Sequence, residues 1–559
     1  EARAAAAMAG GRPDLAQEEL RSLVGRFPGD TAARLALARA HGDQGQLAEA
    51  LAVLDEARRL DPTAYETFFL LGQYSILSGG ANVAVTEHLI EAQKLVRRSR
   101  DTAGEARVLN ALGVGHEQLG ELDRSIENFQ QAAALYEKVG DVQGVAKTAF
   151  NLGNLHLRRG EYEVAERFLG DALEIQKSLG NPFEQTKVIN AFGVLDEERG
   201  RYREALEHYR NALQLRRGLG DGLLLAESFM NVGLALIELG SFSDAELNLD
   251  QALARFEEAG SPFGVMLAKQ RLGSCHLAQG RWSEALTVLL EGLDIARELD
   301  IPNARAVSHG LIGEVARLQG RFAAAYESFG EALALLGELG DVRGQVEFTL
   351  ARVEAHLDLA DADAATADLD QAGAWLADGG GHAQLSALHR LRGRLAAQHG
   401  EVDAARGHLL EAVAEAEKSG AAVVELEARV AAAEGAAALN DLWRDVDVLG
   451  HTPLQLQCAE KLVRARLADG ETASVDDVLR RAQSLVRSIG TYAFTYRLHL
   501  LTADVRRARG DEAGAVRAEA AARAEVERLV RAMPDDRRDA FLDRDELVRI
   551  EVSPARPDA

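Results

Sequence analysis

Small and large apolar positions keep a fixed phase along most of this chain, returning every 40 residues with polar turns between them. One half of each unit carries a small residue at Gly113, Gly153, Gly193, Gly233, Gly273, Gly313 and Gly393, and the other half carries Ala165, Ala205, Ala245, Ala285, Ala325, Ala365 and Ala405. Seven residues further on stand Ala132, Ala172, Ala212, Ala252, Gly292, Ala332, Ala372 and Ala412, beside large residues such as Phe129, Leu169, Tyr209, Leu249, Leu289, Phe329, Leu369 and Leu409. Small side chains at fixed places let two helices approach, and the large ones fill the space beside them. Glycines punctuate the same rhythm at Gly120, Gly160, Gly200, Gly240, Gly280, Gly320 and Gly400, alternating with Gly140, Gly180, Gly220, Gly260, Gly340, Gly380 and Gly420; Ala360 and Asp300 fill the gaps. Each unit is thereby cut into two segments of helical length, each closed by the residue that best tolerates a left-handed turn. The expectation is an all-α fold, a right-handed α-solenoid of antiparallel helical hairpins in which each hairpin touches its neighbours.

An aromatic follows the turn in five consecutive units, at Tyr162, Tyr202, Phe242, Trp282 and Phe322. Recurrence once per unit at a helix start assigns this stripe to packing between repeats rather than to a stacked cofactor.

The string NLGNLHLRRGEYEVAERFLGDAL, residues 151–173, resembles the tetratricopeptide repeat (TPR): an LG pair in the first helix, a turn glycine, then Ala, a large apolar residue and Ala in the second. Near the N-terminus the spacing becomes the family's usual 34 residues, as Gly11 to Gly45, Ala16 to Ala50, Leu20 to Leu54 and Pro28 to Pro62 show. The 40-residue form, with Gly-Asp or Gly-Asn at Gly140-Asp141, Gly180-Asn181, Gly220-Asp221 and Gly340-Asp341, resembles the subgroup of Pins-like polarity adaptors and MalT-like or kinase-linked bacterial regulators. In each pair the glycine ends one helix and the acid or amide caps the next. The expected organisation is 1–100 as hairpins of the 34-residue type, 101–420 as the regular array, 421–550 as degenerate hairpins and a charged C-terminal cap, and 551–559 as a disordered tail. The string LNDLWRDVDVLGHTPLQL is where the period breaks.

Composition narrows the chemistry. The 559 residues carry 63 Lys and Arg against 88 Asp and Glu, a net charge of −25 that repels nucleic-acid phosphate. Cys275 and Cys458 have no ligand-like spacing and read as buried small apolar residues in a reducing compartment. With no long apolar run and no signal-like start, the expected location is cytoplasmic, without membrane contact. The start at Glu1, without an initiator Met, reads as a fragment or a processed form.

No HExxH, GxSxG or P-loop occurs, and the glycines of Gly218-Leu219-Gly220-Asp221-Gly222 close one helix and open the next with no strand before them. The acidic stretch 358–370 lacks the central Gly and terminal Glu of a calcium loop and falls on an interhelix turn. His116, His156, His276 and His356 share one register position in the first helix, and equivalent residues on packed helices are too far apart to share one metal. They read as half-buried histidines where the family has Tyr. The chain is therefore expected to be no enzyme and to need no cofactor or metal.

What the resemblance implies is a groove lined by first-helix residues around the LG pair. Carried over one at a time, these are Asn110, Lys147, Asn151, Asn154, Arg158, Lys187, Asn190, Asn231, Gln270, Arg271, Glu314 and Arg317. Asn offers a donor and an acceptor to an extended main chain, while Lys147, Lys187 and Arg271 suit carboxylates, so an acidic or C-terminal segment of a protein or peptide is the expected ligand. The competing reading is that the amides bond neighbouring helices. The expected function is a peptide-binding scaffold or sensor in bacterial signalling, the origin resting on an excess of Ala, Arg, Gly and Asp. The alternative is the regulatory array of a larger kinase or MalT-like transcriptional regulator whose catalytic or DNA-binding domain lies outside this chain. Self-association is left open.

Overall fold

The structure is a computed structural model that describes residues 12–550 apart from 378, 535 and 536. The Gly11 end of the short-period register and the tail 551–559 lie outside the described residues. All regular elements among the described residues are helices, and they follow one another as antiparallel hairpins. The chain divides into two compact units, residues 1–195 and 196–559, with the helix Pro182–Glu198 running across the boundary.

The first unit opens with the helices Pro13–Arg26, Thr31–Gly42, Leu47–Leu60 and Tyr65–Leu77, whose Ala16, Leu20, Ala50 and Leu54 are buried as the short register requires. A widened turn at Ala84–His88 leads into Leu89–Ser99. Two regular hairpins follow, Thr102–Gln118 with Leu122–Val139 and Val142–Arg158 with Tyr162–Ser178. Local chemistry sets their ends. At Gly140-Asp141 the glycine takes φ 74° and the Asp141 carboxylate accepts from Gly144 N–H at 2.9 Å, so one pair of residues stops a helix and starts another. Where the helices of a hairpin cross, a Cβ added at Gly153 would stand 2.8 Å from Leu169, and one at Gly313 would stand 2.8 Å from Phe329. The small-against-large phase of the sequence is this contact.

The second unit continues with eight hairpins among the described residues, from Gly222–Glu238 with Phe242–Glu258 to Thr495–Ala508 with Glu512–Arg531. The string at 439–456 is the end of a shortened hairpin, Ala422–Ala432 with Ala436–Leu449, and the first turn of Thr452–Ala468. Within each unit neighbouring first helices touch, as Val142–Arg158 does Thr102–Gln118 and Pro262–Ala278 does Pro302–Leu318; no comparable contact joins successive second helices among the described residues. First helices thus form the inner face of each unit and second helices the outer one.

The aromatic stripe has a second role that the period does not reveal. Phe242, Trp282 and Phe322 are buried, and Trp282 lies 5.6 Å from Tyr492 and Phe242 5.8 Å from His451, partners many repeats away. The hairpin turns at Gly200, Gly240, Gly280 and Gly320 abut Ser419, Leu449, Thr452 and Leu529. A main-chain bond from Ala493 N–H to Leu318 O at 2.8 Å and a side-chain bond from the Arg544 guanidinium to Leu357 O at 3.1 Å carry this seam toward the C-terminus. Residues 419–550 fold back along the turn edge of residues 200–360, and the largest apolar cluster, which includes Leu439, Leu462, Tyr496 and Phe541, seals them there.

Candidate functional site

In the first unit the inner face is polar and partly open. Along the helix Val142–Arg158, Lys147, Asn151, Asn154 and Arg158 fall at intervals of four, three and four residues, so they line one face. Lys147 is exposed and forms no ion pair among the described residues, and Asn154 is half-buried with no side-chain hydrogen bond there. Asn151 Nδ2 donates to Asn110 Oδ1 at 3.2 Å, which ties two first helices together and leaves Asn110 buried. Arg158 pairs with Glu117 at 3.1 Å, and Lys187, from the next first helix, pairs with Glu184 at 2.9 Å while lying over the Phe183 ring. Asn190 stands on the same helix as Lys187.

In the second unit the inner face is largely consumed by the protein itself. Arg317 binds Asp358 at 2.6 Å and Glu314 at 2.5 Å; Arg394 binds Asp358 at 2.6 Å and Glu354 at 2.5 Å; Arg390 binds Glu354 at 2.8 Å and faces Glu427 at 3.6 Å. This ladder links four successive first helices. Burial alone would raise the Glu354 carboxyl, but Arg390, Arg394 and Arg317 hold it well below the ordinary carboxylate range. Glu314 and Arg317, expected to meet a ligand, are therefore spent on structure. Gln270 is corrected in the same way: it is 4% exposed, and its Nε2 donates to Ala304 O at 2.7 Å and Ser308 Oγ at 2.9 Å, locking one repeat to the next. Asn231 sits half-buried on Gly222–Glu238. Arg271 stays exposed, and its charge is felt by Glu197, Glu238 and Glu347, which sequence reasoning did not single out. Burial pushes Glu238 up to about 7, with the Glu197 carboxylate adding to the rise, and burial also raises Glu197 and Glu347.

The other chemistry-bearing residues settle into packing. His116 and His156 approach Glu121 and Glu161 at 2.6 and 2.5 Å, each beside its own turn. His276 approaches Glu246 at 3.5 Å, and His356 lies between Asp361, Asp368 and Tyr326. Asp361 caps a helix at Ala364, as its interhelix turn implies. Both cysteines are buried, and burial pushes Cys275 up to about 12 and Cys458 to about 11, so both stay thiols. No described helix is long and apolar enough to cross a membrane.

Tetratricopeptide-repeat profiles match residues 104–178, 187–258 and 265–338, and a further profile of the same repeat matches 7–67. These stretches of the chain are tetratricopeptide repeats. Similar solved structures include a Rap protein complexed with Competence and Sporulation Factor, 15% identical over 62% of this chain and 97% of that one, with a TM-score of 0.46. Aspartyl phosphate phosphatase F from Bacillus subtilis is 14% identical over 63% and 96%, with a TM-score of 0.46. BtubC from P. vanneervenii is 21% identical over 45% and 90%, with a TM-score of 0.32. No curated protein sequence matches the chain.

Proposed function

We propose that this chain is a protein- or peptide-binding scaffold or sensor module in bacterial signalling, and that it holds an extended acidic or C-terminal segment along the inner face of its first unit. The carrying observation is the helix Val142–Arg158, whose one face offers the Lys147 ammonium and the Asn154 amide, neither engaged by another side chain among the described residues, and the Asn151 carbonyl. A ligand main chain would exchange hydrogen bonds with the amides, and its carboxylates would meet Lys147 and Lys187. The contrast with the second unit supports the choice: there the corresponding charges already neutralise one another, and displacing Arg317 from Asp358 would strand a buried charge. The Ala, Arg, Gly and Asp excess supports a bacterial source.

The test is fluorescence anisotropy with labelled, Asp- and Glu-rich peptides bearing a free C-terminus. Lys147→Glu with Lys187→Glu is expected to weaken binding by roughly tenfold or more, because two attractive contacts become repulsive. The melting temperature should stay within about 2 °C, since Lys187 gives up only a partly exposed pair with Glu184 and a contact with the half-exposed Phe183 ring. Equal affinity of the double variant and the parent protein would show that this face is not where such peptides bind.

A further inference from the structure

The hairpin His382–Gln398 with Val402–Ser419 gathers three side chains that neither repeat packing nor the proposed peptide face uses. His389 comes from the first helix; His408 and Glu411, three residues apart, share one face of the second. One ligand-capable atom from each lies within 4.8 Å of the other two. Glu411 places a carboxylate oxygen 2.8 Å from His389 Nδ1 and 3.4 Å from His408 Nδ1. The two rings face each other at 6.0 Å with a tilt of 33°. Despite this crowding, neither Nδ1 makes a hydrogen bond, although both atoms are shut off from solvent.

Two solvent-excluded ring nitrogens that face one carboxylate oxygen without making a hydrogen bond to it are costly as they stand. A cation between them would satisfy all three groups together. Ligand atoms about 2.0–2.2 Å from a tetrahedral zinc lie roughly 3.4 Å from one another, close to the two separations that Glu411 makes here, while the three ligand atoms all lie within 4.8 Å of one another. Nearby, Glu415 is engaged by His382 and Lys418 at 2.7 Å each, which leaves Glu411 as the acid that faces the two rings. The constellation belongs to this hairpin: the corresponding places of the hairpin beginning at Val142 hold Ala149, Phe168 and Asp171.

We propose that His389, His408 and Glu411 form a binding site for a divalent transition-metal ion, with zinc as the fitting occupant and one coordination position left open. Nitrogen-rich ligation disfavours magnesium and calcium, which take oxygen donors. The site lies in the second unit and stands independently of the peptide reading.

The experiment is zinc titration of the full chain after chelator treatment, in competition with a chromophoric chelator, followed by cobalt(II) spectroscopy. The parent protein is expected to take up one tight equivalent and to give the intense visible bands of four-coordinate cobalt. His408→Ala and Glu411→Gln should each weaken that equivalent by more than about 100-fold, since each removes a direct ligand where outer-shell losses already cost 10–100-fold. His382→Ala, which lies outside the set, should bind as the parent does. Thermal melts without metal establish that the variants fold, and zinc should raise the melting temperature of the parent and of His382→Ala alone. Absence of a tight equivalent in the parent, or its survival in both His408→Ala and Glu411→Gln, would overturn the assignment.

Discussion

Ala360 holds a backbone conformation that its side chain resists. It sits at φ 59°, where the corresponding turns have Gly160 at 72° and Gly320 at 76°; Asp300 at 51° and Arg100 at 56° share the anomaly. The turn survives because its bonds are intact, with Ala360 N–H on Leu357 O at 3.3 Å and Asp361 N–H on His356 O at 2.9 Å. An L-residue in this region costs about 1–2 kcal/mol, and glycine removes that cost while adding unfolded-state entropy. Ala360→Gly is therefore expected to gain about 0.5–1 kcal/mol in urea unfolding, and a variant no more stable than the parent would show that the turn is unstrained. Turns of this kind were legible because a left-handed position leaves its mark in residue type. The fate of Gln270 was not: the register that puts it near the groove leaves open whether the side chain turns outward or, as found, back onto Ala304 and Ser308.

Among elements, the same limit explains the seam of the second unit. A 40-residue period encodes what each hairpin does to the next, because only neighbours recur in register. It carries no mark of contacts five repeats away, so Phe242 and Trp282 read as ordinary packing. At one point of the seam Gly200 and Gly420 meet, both left-handed, at φ 69° and 68°. A Cβ at residue 420 would overlap the Gly200 carbonyl oxygen, and the obstacle is backbone, which cannot swing away as a side chain can. Gly420→Ala combines this overlap with the left-handed penalty and is expected to cost about 2–4 kcal/mol. Gly400→Ala, at φ 76° with open space around its Cβ position, should pay the conformational part alone. Equal losses in the two variants, measured by chemical denaturation, would mean that the seam is not a tight contact.

At the scale of the whole molecule, first helices of distant repeats in the second unit bring acids within reach of one another's charge, and that charge must answer to pH. Glu238, at about 7, sits among Glu197, Glu347, Arg271 and Arg343, and Glu197 also accepts a hydrogen bond from Tyr209. A carboxyl whose folded value lies above its ordinary 4.5 binds more protons folded than unfolded; its contribution is complete below about 4.5 and is lost as pH rises through about 7. Glu354 runs the other way: held low by its three arginines, it contributes fully above the ordinary carboxylate range and loses that contribution as pH falls through its folded value. Their windows overlap at mildly acidic pH, where both terms favour the fold. Glu238→Gln mimics the protonated acid, so it should match the parent near pH 5 and exceed it at pH 8. A full shift of this size would correspond to about 3 kcal/mol, and solvent reaching the half-buried side chain reduces the expected gain to about 1–2 kcal/mol. If the difference in melting temperature between variant and parent stayed constant from pH 5 to pH 8, Glu238 would not be the group that titrates, and the interior charge would have to be balanced elsewhere along the inner helices.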